Sequence, residues 1–293
     1  MSDWTAADLP SFAGRTVIVT GANSGLGLVT ARELARVGAR TILAVRNIDK
    51  GTAAAAEMAG DVEVRRLDLQ DLSSIREFAE GFTLSGDRVD VLVNNAGIMA
   101  VPYALTADGF ESQIGTNHLG HFALTNLLLP VIAERVVTVS SMMHLFGYVS
   151  LTDLNWKSRP YLAWPAYGQS KLANLMFTSE LQRRLGAAGS PVRAVAAHPG
   201  YSATNLQGNT GSQQGARFWD TANSLLATDA DFGARQTLYA VANDLPGDSF
   251  VGPRFGMRGP TGPSLRSPLA RNHAKSQALW TLSEQLTATE FPL

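Results

Sequence analysis

Residues 20–27 read TGANSGLG, with Gly21, Gly25 and Gly27 spaced GxxxGxG between a short apolar run and a helix-like run. A strand that turns directly into a helix needs tight, sometimes left-handed backbone, which glycine adopts without a Cβ clash. Glycine also lets a ligand approach the main chain closely. The helix N-terminus beyond the turn exposes unpaired N–H groups and partial positive charge, so it attracts anions. The segment therefore suits a pyrophosphate held around Gly21, Asn23, Ser24, Gly25, Leu26 and Gly27. A tight turn with no ligand would use the same glycines. The reading gains weight from its place after the first strand and at the start of the first helix.

Outward from this turn, strand-like and helix-like runs alternate. Strands are expected at 15–20, 40–45, 61–69, 89–97, 135–141 and 192–200, with a seventh at SFVGP (249–253). They are near-continuous apolar runs, as strands buried on both faces are. Helices are expected at 27–38, 47–58, 72–82, broadly 108–129, 165–186, 229–243 and across the tail 267–286. No linker or repeat divides the 293 residues. The expectation is one doubly wound α/β domain, a Rossmann fold with about seven parallel strands and helices on both faces.

Bulk composition excludes several classes. The chain has no cysteine, which removes disulfides, zinc–thiolate sites and thiol nucleophiles. Its formal net charge of −1 argues against nucleic acid or an anionic membrane as a partner reached by bulk electrostatics. No apolar run approaches the roughly 20 residues of a membrane span. The start, MSDWTAADLPSFAG, is polar and unlike a secretory signal, so a cytoplasmic protein is expected. His118, His121 and His144 show no metal-ligand spacing and read as packing residues, so no metal is expected.

The end of the second strand, LAVRN, chooses between nicotinamide cofactors. An Asp or Glu there binds the adenosine ribose of NAD, whereas a cation suits the 2′-phosphate of NADP. Arg46 occupies the place, and no carboxylate follows until Asp49. A guanidinium grips phosphate through two bonds, so NADP is favoured over NAD, with dual use the competitor. Asp68 is placed to meet the adenine edge, with Leu69 beside it. Asp68 could equally cap the helix beginning near Leu72.

In YGQSK, Tyr167 and Lys171 stand four apart on one helical face. A nearby ammonium favours phenolate and is expected to draw the tyrosine down from about 10 toward the working range of a general acid or base. The fifth strand ends in VSS, placing Ser141 where open α/β sheets bind ligands. Its hydroxyl could hold a substrate oxygen as charge develops.

TGANSGLG, NNAG (94–97), NHLG (117–120), VSS (139–141), YGQSK (167–171) and HPG (198–200) occur in that order. In this the chain resembles the short-chain dehydrogenase/reductase family along nearly its whole length. GANSGLG, AVRN, YGQSKLAN and AAHPGYSATNL resemble its retinol-dehydrogenase-like and WW-domain-oxidoreductase-like subgroup, although no WW domain is present. The resemblance implies an oxidoreductase that moves a hydride between NADP(H) and a carbonyl/alcohol substrate. Tyr167 would be the acid/base, Lys171 would bind the nicotinamide ribose, Ser141 would orient the substrate oxygen, and Asn117 would hold a relay water. Asn94, Ala96 and Gly97 would line the adenosine side. Pro199, Gly200 and Thr204 would cover the nicotinamide. The long helices at 108–129 and 165–186, apolar on more than one face, would pack in a homo-oligomer or under the insertion loop.

Ser141 and Tyr167 lie 26 positions apart, farther than in many family members, because residues 144–166 are inserted. Ser140 precedes Ser141 and competes for its role. Residues 205–228 mix Gly, Ser and Gln with Leu206, Phe218, Trp219 and Leu225, which suits a lid with an apolar inner face. Tyr148, Trp156, Tyr161 and Trp164 are candidates for the pocket wall or for simple loop packing. The competing readings are a catalytically idle nucleotide-binding sensor or scaffold, and a reductase of carbon–carbon double bonds.

Overall fold

Side-chain alternation along the first strand already separates the two faces of the sheet. In a computed structural model, which describes residues 4–200 and 230–293, β1 (Thr16–Thr20) sends Val17 and Val19 to one apolar cluster and Ile18 to another. This is the period-2 pattern of a strand covered on both faces.

The elements follow as α1 (Gly25–Arg36), β2 (Arg40–Val45), α2 (Ile48–Ala56), β3 (Asp61–Arg66), α3 (Leu72–Ser85) and β4 (Val89–Asn94). Then come α4 (Ser112–Ile114), a π turn (Gly115–Leu119), α5 (Gly120–Leu128), β5 (Ile132–Val139), α6 (Ala163–Ala187) and β6 (Arg193–Ala197). The chain closes with α7 (Ala230–Ala242), β7 (Phe250–Pro253), β8 (Thr261–Pro263) and α8 (His273–Thr287). The sheet order is β3-β2-β1-β4-β5-β6-β7-β8. Seven strands run parallel as expected. The eighth, β8, pairs antiparallel with β7 and was not expected, because TGP carries no strand signal in its sequence.

The strand order reverses at β1, whose neighbours are β2 and β4. That switch point opens a crevice at the C-terminal ends of the strands, where both the Gly-rich turn and residues 94–97 lie. One face is covered by α3, α5, α6 and α8 around Ile18, Leu92, Phe122, Phe177 and Trp280. The other is covered by α1 and α7 around Val19, Leu34, Val93, Val195 and Leu238.

The tail helix α8 packs on α6, with the Trp280 ring stacked on Phe177 at 5.7 Å. Burying a Phe-sized side chain is worth roughly 1.5–3 kcal/mol. Leu172, Leu175, Met176, Phe177 and Leu181 of α6 are all buried within the single chain. The apolarity of this helix is thus satisfied without a partner subunit. Among the described residues no helix is long and apolar enough to cross a membrane.

Candidate active site

The Gly-rich turn has the backbone its sequence demands. Gly21 and Gly25 hold φ of 66° and 55°, in the left-handed region. A Cβ on Gly27 would stand 2.5 Å from Asn95 Nδ2 and 2.6 Å from the Gly21 carbonyl oxygen, so only glycine closes the turn. Ser24 is the N-cap of α1, with extended backbone and no side-chain capping bond. The first-turn N–H groups therefore face the crevice without a side-chain cap.

Sequence reasoning misses Thr20 and Asn95, which hold this turn to the end of β4. Thr20 Oγ1 accepts from Asn95 N at 3.0 Å and Ala96 N at 2.9 Å. Asn95 Nδ2 donates to the Thr20 carbonyl at 2.8 Å. Thr20 is a fully buried polar side chain at the end of the apolar run Val17–Val19, a local sign that its hydroxyl has a task.

The other cofactor candidates divide. Arg46 is exposed just past β2, next to Asn47, which caps α2 by accepting from Lys50 N. Among the described residues Arg46 makes no ion pair. Asp68 does not cap α3; Asp71 does, by accepting from Ser73 N and Ser74 N. Asp68 Oδ1 instead accepts from Gln70 N at 3.0 Å. The Leu69 side chain is part of the core.

Asn94 departs from expectation. Its side chain is 1% exposed and donates to Thr125 Oγ1 of α5 at 2.9 Å, joining strand to helix, while its main chain ends β4 at the crevice. Alternation explains this, since Asn94 shares the face of Leu92 and not that of Val93. Ala96 and Gly97 do lie at the crevice: Ala96 touches the position a Gly21 Cβ would take. Pro199 and Gly200 are half-buried, and His198 Nδ1 accepts from Gly200 N. Thr204 and the expected lid at 205–228 lie outside the described residues.

Tyr167 and Lys171 stand on α6, both buried. Burial pushes the Tyr167 phenol up to about 12, against the opposing effect of the nearby Ser141 hydroxyl. Burial likewise brings the Lys171 ammonium down to about 8. The phenol thus moves opposite to the sequence expectation. Desolvation wins because Lys171 Nζ donates to the Val139 carbonyl at 3.2 Å and sits 5.6 Å from the Tyr167 ring centroid, not at the phenol oxygen.

The two serines after β5 separate cleanly. Ser140 is 1% exposed and donates to the Lys171 carbonyl at 2.8 Å. Ser141, half-buried, accepts from Met143 N at 3.2 Å, and its hydroxyl lies near enough to the Tyr167 phenol to oppose the upward shift. Asn117 sits within the π turn, a feature that often marks functional positions. Its Oδ1 accepts from Ile98 N at 2.8 Å, and its Nδ2 donates to the Ile98 carbonyl and to Ser170 Oγ, each at 2.9 Å. A Cβ on Gly97 would lie 3.1 Å from Asn117 Oδ1 and 3.4 Å from Lys171 Nζ, so these groups converge beneath Gly97.

The inserted loop is anchored by its aromatics. The Tyr161 hydroxyl donates to the Val101 carbonyl at 2.9 Å and accepts from Gln113 Nε2 at 2.8 Å. The Trp156 ring lies under Arg159 at 3.6 Å. These two pack the loop, whereas Tyr148 and Trp164 are exposed and Trp164 packs edge-on to Tyr167 at 6.3 Å.

Residues 15–215 match the model of the short chain dehydrogenase family. The chain is a short-chain dehydrogenase/reductase. It is 42% identical to human (Homo sapiens) retinol dehydrogenase 13 over 300 aligned residues, covering 95% of this chain and 86% of that one. This places the short-chain dehydrogenase/reductase in the retinol-dehydrogenase-like subgroup, oxidoreductases acting on CH–OH and C=O groups. The crystal structure of an uncharacterized protein from Mycobacterium Paratuberculosis is 67% identical, covers all of both chains and superposes with a TM-score of 0.88. A structure designated an NAD(P) dependent gluconate 5-dehydrogenase, from Beutenbergia cavernae with bound NADP at low occupancy, is 25% identical. It covers 83% of this chain and 96% of its own, with a TM-score of 0.64.

Proposed function

We propose that this enzyme is an NADPH-dependent reductase of apolar aldehydes and ketones. The observation that carries the reading is the convergence of Ser141, Tyr167 and Lys171 at the C-terminal end of β5, with Lys171 held beside the Tyr167 ring by its bond to the Val139 carbonyl.

The crevice fits a dinucleotide. Gly21 and Gly25 carry the turn in left-handed backbone, α1 presents its N-terminus without a side-chain cap, and Arg46, with no ion pair among the described residues, offers a cation for a 2′-phosphate. When bound, the reduced nicotinamide supplies a hydride to the carbonyl carbon. Tyr167 Oη gives its proton to the carbonyl oxygen, completing the alcohol. Ser141 Oγ donates to the same oxygen as it gains charge. The Met143 N–H occupies one lone pair of Ser141, which helps turn its hydroxyl proton outward. Burial keeps the Tyr167 phenol protonated at neutral pH, so it has a proton to give.

The apolar character of the substrate rests on the rim. Phe146, Leu162 and Trp164, close in sequence to Ser141 and Tyr167, are exposed. The name of the human relative, retinol dehydrogenase, points to long apolar aldehydes. A panel of apolar aldehydes, saturated ketones and enones, each with NADPH and NADH, tests the proposal through loss of reduced-nicotinamide absorbance. Turnover of aldehydes with NADPH is expected. Turnover confined to enone double bonds, or no turnover at all, would overturn it.

A further inference from the structure

His121 is 1% exposed, near the start of α5, and bonded through both ring nitrogens. Nδ1 lies 3.1 Å from the Asn117 main-chain carbonyl, and Nε2 lies 2.9 Å from Thr20 Oγ1. A carbonyl only accepts, so Nδ1 carries the proton. Thr20 gives an independent count. Its oxygen already accepts from Asn95 N and Ala96 N, filling both lone pairs, so only its O–H remains to give. The nearer acceptor is His121 Nε2, with the Val93 carbonyl farther at 3.4 Å. Both counts yield the same ring: neutral, protonated on Nδ1, bare on Nε2.

The bonds then run in one direction. The Asn95 and Ala96 N–H groups point to Thr20, Thr20 points to His121, and His121 points to the Asn117 carbonyl. Asn117 Nδ2 points on to Ser170 Oγ, and Ser170 donates to the Tyr167 carbonyl at 2.8 Å. Aligned hydrogen bonds in a dry interior reinforce one another. Lys171 on α6 and His118 in the π turn are the titratable groups facing the ring electrostatically; Lys171 opposes a positive charge on it, and His121 in turn opposes one on His118.

We propose that His121 is a positioning residue that couples the Gly-rich cofactor turn to the catalytic helix, through Thr20 on one side and Asn117 and Ser170 on the other. It touches neither cofactor nor substrate. It holds the Asn117 peptide so that the Asn117 side chain clamps Ile98 and supports the turn of α6 that carries Tyr167 and Lys171. The inference deepens the reductase reading and rests on it for its kinetic consequence, but the bond pattern stands apart from any activity.

Two measurements test it. The first is the ring 15N spectrum of the wild-type protein at neutral pH, which needs no substrate. A neutral Nδ1–H tautomer for His121 is expected; a protonated Nε2 would overturn the proposal even if the enzyme is active. The second is a kinetic comparison of His121→Asn, His121→Gln and His121→Phe. The Asn amide nitrogen stands near the place of Nδ1 and can still donate to the Asn117 carbonyl, whereas Gln reaches only toward Thr20. Phe keeps the ring and loses both bonds. For Phe, kcat should fall on the order of 10- to 100-fold while the NADPH Kd stays within about threefold. Asn and Gln each keep one side of the link only, so each should lose kcat about as Phe does. Unchanged kcat in His121→Phe, or near wild-type kcat in either Asn or Gln, would overturn the coupling. If the wild type reduces no carbonyl compound, the reductase reading fails, and the tautomer still decides the strut.

Discussion

Ser140 donates to the main-chain carbonyl of Lys171 at 2.8 Å, while its neighbour Ser141 accepts from Met143 N at 3.2 Å and stands near the Tyr167 phenol. Two adjacent serines are thus held differently, one bracing the helix of Tyr167 and Lys171 and the other left toward the phenol. Ser140→Ala should cost about 0.5–1.5 kcal/mol of stability, the worth of one buried hydrogen bond, because the Lys171 carbonyl keeps its helical bond within α6. Ser141→Ala should leave stability nearly unchanged and lower kcat on the order of 10²–10³. Urea denaturation and steady-state rates on both variants check the division; the reverse pattern would assign the substrate to Ser140.

The proposed preference for NADPH rests on Arg46. Its replacement by Ala removes the cation at the end of β2 without touching the Gly-rich turn. NADPH binding should weaken by roughly 10- to 100-fold, the worth of a charge-assisted pair, with NADH hardly affected. Fluorescence titration of both cofactors reads the difference, and equal losses would remove the phosphate clamp.

Buried histidines make the fold acid-sensitive. Desolvation lowers His121 to about 4, and His118 and His198 to about 3, from 6.5. Each binds fewer protons folded than unfolded across that window. Their contribution to stability is therefore complete above about pH 6.5 and is lost as pH falls toward 4, at up to about 1.4 kcal/mol per pH unit for each group. Urea midpoints measured from neutral pH to pH 4 should decline steeply over this range. Midpoints that stay level would mean the imidazoles accept protons in place.

At the alkaline end, Lys171 near 8 loses its charge while Tyr167 near 12 keeps its proton. Because kcat/KM reports groups of the free enzyme, reduction should lose kcat/KM as pH rises through about 8. Lys171→Met should be slow and lack this limb. A wild-type profile that stays level to pH 10 would show that the lysine charge has no part in the step.

The parts of this enzyme legible in its sequence are those set by local rules. The Gly-rich turn, the seven parallel strands and the spacing of Tyr167 from Lys171 follow from glycine's backbone freedom and from strand and helix periods. Asn94 goes astray when NNAG is read as one block, because strand alternation turns it toward Thr125. The roles of Thr20 and His121 depend on a bond between residues 101 positions apart, which no local pattern reveals. The rise of the Tyr167 phenol reflects burial, which a spacing of four residues does not report.

Tyr167→Phe removes one oxygen and keeps the ring, so it isolates the proton that reduction needs. NADPH titration and single-turnover oxidation with a reactive apolar aldehyde, compared in wild type and Tyr167→Phe, test the account most directly. The account predicts unchanged NADPH affinity and a reduction rate lower by at least about 10². A variant that reduces the aldehyde at the wild-type rate would show that the proton comes from elsewhere.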